Sequence, residues 1–252
     1  MLETSVIDTL KSVDPDRVRA AMLAEAQPRE ALLTLYAFHY ELAKIPELVS
    51  EPMVGAIRYQ WWRDAIDEMY LGKPVRRHEV TTPLAEVIKR YDLPRFWVDK
   101  LIDGRERDID PRPFKDLTEA REYCAQTSGT LARLAAMICE AEKSETAQAL
   151  GVAWGLTGLL RGWSFYKDSM LKDIDPAALS AEGQSAYVSA RDRVGAISPA
   201  LMPAIAYCAL IPGFQKRHEM TADTANSPRN YTALAKKTRL LLTAMRGRLP
   251  HM

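Results

Sequence analysis

The stretch Arg29-Glu30-Ala31-Leu32-Leu33-Thr34-Leu35-Tyr36-Ala37-Phe38-His39-Tyr40-Glu41-Leu42-Ala43-Lys44-Ile45 sets Leu32, Leu35, Tyr36, Phe38 and Leu42 at three- and four-residue intervals. That is the spacing of one face of an α-helix. Gln27-Pro28 reads as the break before this helix and Pro46 as its end or bend. Working outward, Asp14-Pro15 opens an earlier helix. A second apolar stripe runs from Val54 to Tyr70 through Ile57, Trp61, Ala65, Ile66 and Met69. Shorter helices are predicted for 83–91 and 94–103, then a loop at 107–114 with Pro111 and Pro113. Longer ones follow at 117–139, 145–167 and 181–196, then an apolar segment at 200–214 broken by Pro203 and Pro212, and a basic helix near 231–246. Alternating runs of the strand type are nearly absent, so the expected class is all-α, a helical bundle.

The chain has 252 residues, 47% hydrophobic and 27% charged, with a formal net charge of +1. This is the mix of a folded single domain, taken here as residues 1–252. Basic residues are interspersed with acids, which argues against nucleic acid as a partner. Cys124, Cys139 and Cys208 are odd in number and set among apolar neighbours, which points to buried thiols and a cytoplasmic location. Residues 1–13 lack the apolar core of a secretory signal, and 200–214 is short for a membrane span, so at most a peripheral membrane contact is expected. His78, His218 and His251 show no ligand spacing, so no metal site is expected from them.

Three groups of residues invite a chemical reading. Around Asp64, Asp67 and Glu68, Asp64 and Glu68 sit four apart, where like charges repel. Pairing of Arg63 with Asp67 and of Gln60 with Asp64 makes a solvated face the simpler account. Trp61 and Trp62 cannot both occupy the centre of one stripe, so one should be core and the other edge. In Gly155-Leu156-Thr157-Gly158-Leu159-Leu160-Arg161-Gly162-Trp163-Ser164-Phe165-Tyr166, the glycines and Tyr166 share a helical face. Each mid-helix glycine costs ~1 kcal/mol against alanine. Either close helix packing or an open pocket floor would compensate, close packing being the default. The terminal run Lys236-Lys237 with Arg239, Arg246 and Arg248, interleaved with Leu234, Leu240, Leu241 and Met245, makes a basic amphipathic helix. It would cap the bundle or touch anionic lipid or an acidic partner.

These segments, with Leu101-Ile102-Asp103-Gly104, Asp108, Tyr123-Cys124 and Gly129-Thr130, resemble the squalene/phytoene synthase family in order and spacing over about residues 15–215. The remainder, 216–252, is the basic terminal helix. The resemblance implies an isoprenoid synthase fold and a reaction in which Mg²⁺ held by aspartates ionises prenyl diphosphates. The family's first acidic motif falls on Ala43, Lys44 and Glu47, and its second on Gly162 and Tyr166, with Gly158 where an asparagine is usual. Only Glu47 keeps an acid, and Lys44 would repel a cation. The simpler account of these two is that Lys44 snorkels to solvent and Glu47 is a surface acid. Tyr36, His39, Tyr40, Gly155 and Arg161 are the expected cavity lining. The Gln60-Trp61-Trp62-Arg63-Asp64 wording resembles a branch of that family, the synthase-like assembly factor of mitochondrial respiratory complex I. The resemblance therefore implies a non-catalytic protein without a cofactor, with complex I subunits or assembly factors, or an isoprenoid-like lipid, as partner. Two alternatives stand beside it: a Mg²⁺-dependent prenyl diphosphate transferase using Glu47, Asp64 and Glu68, and a lipid or quinone carrier.

Overall fold

The computed structural model describes residues 2–222 and 231–252, with side chains for 2–216 and 231–252. Two short helices, α1 (Thr4–Val13) and α2 (Pro15–Ala21), precede α3 (Ala26–Ala43). The sequence reading assigned no helix at α1, although Val6, Ile7 and Leu10 share one face there, Leu10 buried and Val6 and Ile7 partly buried against the core. Asp14 links the first two helices: its carboxylate accepts from the Arg17 amide at 3.4 Å and from the Arg17 guanidinium at 2.7 Å. Pro15 occupies the first turn, where no N–H partner is lost. The same logic corrects the reading of Pro28, which lies in the first turn of α3 instead of before it. Leu32, Leu35, Tyr36, Phe38 and Leu42 are all buried, as their spacing requires. After Ala43 the chain tightens into a 3-10 turn, Ile45–Leu48, that contains Pro46 and Glu47.

Next comes α4 (Pro52–Tyr70), locked to α3 by the fully buried Tyr59. Its hydroxyl lies 2.9 Å from the Leu42 carbonyl and 2.8 Å from the Arg105 carbonyl, so a single proton serves two helix-end acceptors. Trp62 is buried against Phe38, and Trp61 stands half-buried beside it at 5.1 Å. Gln60 donates to Asp64 at 2.8 Å as expected, but Arg63 does not pair with Asp67. It reaches across to Asp103 and Glu106 at 2.5 Å each, Arg95 takes Asp67, and Arg76 takes Asp64 and Glu68. Cations from other segments neutralise that acidic face, which local spacing cannot reveal.

Then follow α5 (Thr81–Tyr91), α6 (Arg95–Glu106) and α7 (Leu117–Cys124). A π-helical turn, Ala125–Gly129, joins α7 to α8 (Thr130–Cys139), and together they make the long helix expected over 117–139. The central rod is α9 (Ser144–Arg161), against which pack α8, the π turn, α7, α11 (Pro176–Val194) and α13 (Ile211–Ala222). Gly151 and Gly155 permit this closeness. A β-carbon at Gly151 would stand 2.5 Å from the Ser128 carbonyl oxygen and 2.8 Å from the Gly129 α-carbon, and one at Gly155 would stand 2.9 Å from the Cys124 β-carbon.

The helix expected to run through 145–167 stops at Arg161. Gly162 caps it, and the single turn α10 (Trp163–Tyr166) follows. The apolar segment contains α12 (Met202–Ile205), a 3-10 turn and the start of α13, and everything from Leu201 to Ile211 is buried. Pro203 and Pro212 sit at helix starts and do not kink a continuous rod. The last helix, α14 (Ala233–Arg246), ends at Gly247 in the left-handed conformation, φ 60°. Among the described residues there is no β-strand, and no helix is long and apolar enough to cross a membrane.

Candidate ligand pocket

Between the end of α3, the start of α2, the π turn and the last turns of α9 lies a cavity of about 620 Å³. That is within the range of small-molecule sites. Its wall includes Tyr36, His39, Tyr40, Ala43, Lys44 and Glu47 from the α3 side, and Gly155, Gly158, Arg161 and Tyr166 from the α9 side. The residues singled out in the sequence thus converge on one space, with Gly162 as the exception. A β-carbon at Gly162 would lie 2.7 Å from the Tyr166 ring, so this glycine seats the tyrosine and does not face the cavity. The glycine face divides by role. Gly155 allows close packing, Gly162 allows Tyr166 to fold back, and Gly158, with nothing within 4 Å of its missing side chain, opens onto the pocket.

On the α3 wall, Lys44 is half-buried: its ammonium lies 2.6 Å from Glu41 and over the Tyr40 ring. It therefore does not extend freely to solvent as the snorkelling account expects, because a carboxylate one turn away captures it. Glu47 sits on the 3-10 turn at the rim and makes no ion pair among the described residues. Tyr36 points inward, is 2% exposed, and its hydroxyl finds no partner there. A buried hydroxyl left without a partner is costly, so it is poised to bond a ligand or solvent.

His39 is buried and meets the Arg105 guanidinium at 2.8 Å. Because arginine only donates, His39 Nε2 must accept, which fixes the neutral ring with its proton on Nδ1. Burial and the Arg105 charge both hold its pKa well below the usual histidine value. In the unfolded chain the ring takes a proton near pH ~6.5, and the folded chain resists it. Stability should therefore fall as pH drops below that value, by up to ~1.4 kcal/mol per pH unit from this group. Thermal melts at pH 7, 6 and 5 should show the loss, and His39→Gln, which keeps an acceptor for Arg105, should flatten it. Equal slopes would show that His39 does not carry the effect.

Several lining groups were not legible in the sequence. Arg105 also bonds Asp108 at 3.0 Å and Tyr123 at 3.1 Å, while Tyr123 donates to Asp108 at 2.8 Å. Burial alone would lower the Arg105 pKa, but the Tyr123 and Asp108 neighbours outweigh it. Arg17 is buried beside Asp14 and stacks over Tyr207 and Trp154. Asp16, also buried, accepts from Arg19 at 2.9 Å and from Lys236 of α14 at 2.9 Å. The basic terminal helix therefore sends one lysine inward to the pocket. Arg161 lies 3.9 Å from the Phe214 ring centre and makes no ion pair or hydrogen bond among the described residues. The Cys124 thiol at the pocket wall is pushed up to about 12 by burial and is an inert packing group. The side chain of His218 lies outside the described residues.

The family model described as squalene/phytoene synthase matches residues 10–165. A bovine protein named NADH dehydrogenase (ubiquinone) complex I, assembly factor 6 is 28% identical over 163 residues, 64% of this chain and 49% of that protein. A Dictyostelium discoideum homolog of that factor is 25% identical over 70% of this chain and 51% of its own length. A phytoene synthase from Thermus thermophilus is 28% identical over 177 residues, 68% of this chain and 58% of that one. The chain spans about half the length of the assembly-factor relatives it matches. In three dimensions it resembles a crystal structure of a dehydrosqualene synthase in complex with ligand, with TM-score 0.77, 14% identity, and 96% and 94% of the two chains covered. At that identity the likeness shows the all-α isoprenoid synthase fold alone.

Proposed function

The chain belongs to the squalene/phytoene synthase family, and from that premise we propose that it is a non-catalytic member, an assembly factor for respiratory complex I. In this reading it uses its pocket to hold a protein segment or an isoprenoid-like ligand. The relatives named as complex I assembly factor 6 support the assembly role. One observation carries the non-catalytic half: the two facing walls, Ala43, Lys44 and Glu47 against Gly158 and Tyr166, offer a single carboxylate between them.

Ionising a prenyl diphosphate requires Mg²⁺ gripped by acids from both walls and by phosphate oxygens. This donor set does not fit that ion. Asp14 and Asp16 are already held by Arg17, Arg19 and Lys236, and the Lys44 ammonium occupies one of the acidic slots. The cations are equally committed: Arg17 to Asp14, Lys44 to Glu41, Arg105 to Asp108, Lys236 to Asp16. Among the described residues, Arg161 is the one lining cation without an ion pair and Glu47 the one lining acid without one. A diphosphate would find Arg161 as its one uncommitted cation among the described residues, whereas a weakly charged group with both polar and apolar parts would meet the Tyr36 hydroxyl, Arg161 and the aromatic rings. The open volume also keeps the lipid or quinone carrier in play, since Tyr40 and Tyr166 line the space without filling it. Lipid identified by mass spectrometry after purification would favour that reading.

Complementation separates assembly from catalysis. In cells lacking this chain, assembled complex I on native gels should fall and recover with the wild type. It should recover equally with Glu47→Gln, which removes the single unpaired pocket acid. Unchanged complex I in the deletion contradicts the assembly role; a stable Glu47→Gln protein that fails to restore it contradicts the non-catalytic one.

A further inference from the structure

The last helix presents a surface that the pocket does not explain. Leu234, Leu241 and Met245 on α14 are 75%, 58% and 74% exposed, while Leu240 and Thr243 on its other side are buried at 5% and 3%. At 3.6 residues per turn the three exposed side chains fall within about 40° of one another, a single outward stripe along the whole helix. Leu242, 40% exposed, widens the apolar face on one side, so that Lys237 borders it on one flank and Arg246, with Arg239 beside it, on the other, and Arg248 lies just beyond the helix end. None of these four cations makes an ion pair among the described residues, and residues 231–252 contain no Asp or Glu. Beside the helix runs an open groove in which Arg239, Arg246 and Arg248 stand next to the apolar Leu234, Leu242 and Leu249.

The helix is also fixed in place. Lys236 bonds Asp16 of α2 at 2.9 Å near its start. At its end the Ile197 amide donates to the Gly247 carbonyl at 2.7 Å, and the Tyr187 hydroxyl to the Pro250 carbonyl at 2.8 Å. The apolar stripe is thus held outward before any partner arrives, with little left to order on binding.

We propose that α14 docks this protein on an anionic lipid bilayer, Leu234, Leu241 and Met245 entering the acyl boundary while Lys237, Arg239, Arg246 and Arg248 meet lipid phosphates. An exposed apolar stripe with cations on both flanks and no acid matches both layers of such a surface. A protein groove would have to supply acids on both sides of a hydrophobic trough. The docking stands apart from the pocket reading and holds whatever the pocket contains.

Co-sedimentation of the full chain with vesicles of phosphatidylcholine alone or mixed with phosphatidylglycerol tests it. The wild type should bind the mixed vesicles, lose binding in high salt, and bind pure phosphatidylcholine about tenfold or more weakly. Leu241→Glu with Met245→Glu should lower binding by a similar factor with an unchanged helical circular dichroism spectrum, and Lys237→Glu alone should lower it less. Wild type that ignores mixed vesicles at low salt overturns the proposal, as does binding that survives the double substitution. A wild-type dimer that the double substitution splits into monomers, without lipid binding, overturns it in favour of a second copy of this chain as the occupant.

Discussion

Gly151→Val should be among the most damaging single substitutions in the chain, costing about 3 kcal/mol or more and lowering the melting temperature by roughly 6–12 °C or abolishing folding. The reason is geometric. A β-carbon there would sit 2.5 Å from the Ser128 carbonyl oxygen, 2.6 Å from the Ala132 β-carbon and 2.8 Å from the Gly129 α-carbon. Two of these are backbone atoms of the helix that α9 packs against, so no side chain can rotate away and the rods themselves must separate. Gly158→Ala, two turns along the same helix, should do the reverse. Nothing lies within 4 Å of its missing β-carbon, so the helix gains up to ~1 kcal/mol of propensity without a clash. Thermal melts of the pair read the contrast directly. If the two substitutions behave alike, the division of these glycines into packing and pocket roles is wrong.

Arg105→Met should be comparably severe. The guanidinium is mostly buried and serves Asp108, Tyr123 and His39 together. Removing it strands a carboxylate with 15% exposure and leaves the His39 ring without its donor. Breaking one side of a buried pair typically costs 3–5 kcal/mol, about 6–20 °C in melting temperature for a chain of this size. A second substitution, Asp108→Asn, should recover part of the loss because the uncompensated charge is then gone. Denaturation of the two single variants and the double variant measures the coupling. Strictly additive losses would show that Arg105 acts by packing and not through Asp108.

The helices were legible because their signals are local. Leu32, Leu35 and Phe38 mark their face by spacing alone, whereas the stripe expected on α4 holds only in its second half: Ala65 and Ile66 are buried, but Val54 and Ile57 face solvent because the helix turns Gly55, Tyr59 and Trp62 to the core. The shared pocket of Tyr36, His39, Tyr40, Gly155 and Arg161 was legible only through the family resemblance, since nothing within either helix says that the two face each other. What stayed hidden depended on distant partners. Asp16 and Lys236 are 220 positions apart, and neither points to the other in the sequence. Arg105 carried no local signal, lying just past the helix expected at 94–103, and only packing against α3 and α7 makes it the centre of a polar network. Gly162 was misread for a subtler reason. Its spacing from Gly158 assumed an unbroken helix, whereas the chain leaves α9 at that residue and Tyr166 folds back over it.

The central claim is that a synthase-shaped body has kept its pocket and given up diphosphate ionisation. The most direct measurement incubates the full chain with farnesyl or geranylgeranyl diphosphate, with and without Mg²⁺, and follows diphosphate release. The account predicts release indistinguishable from a protein-free control under both conditions. Mg²⁺-dependent release that Glu47→Gln abolishes would contradict it.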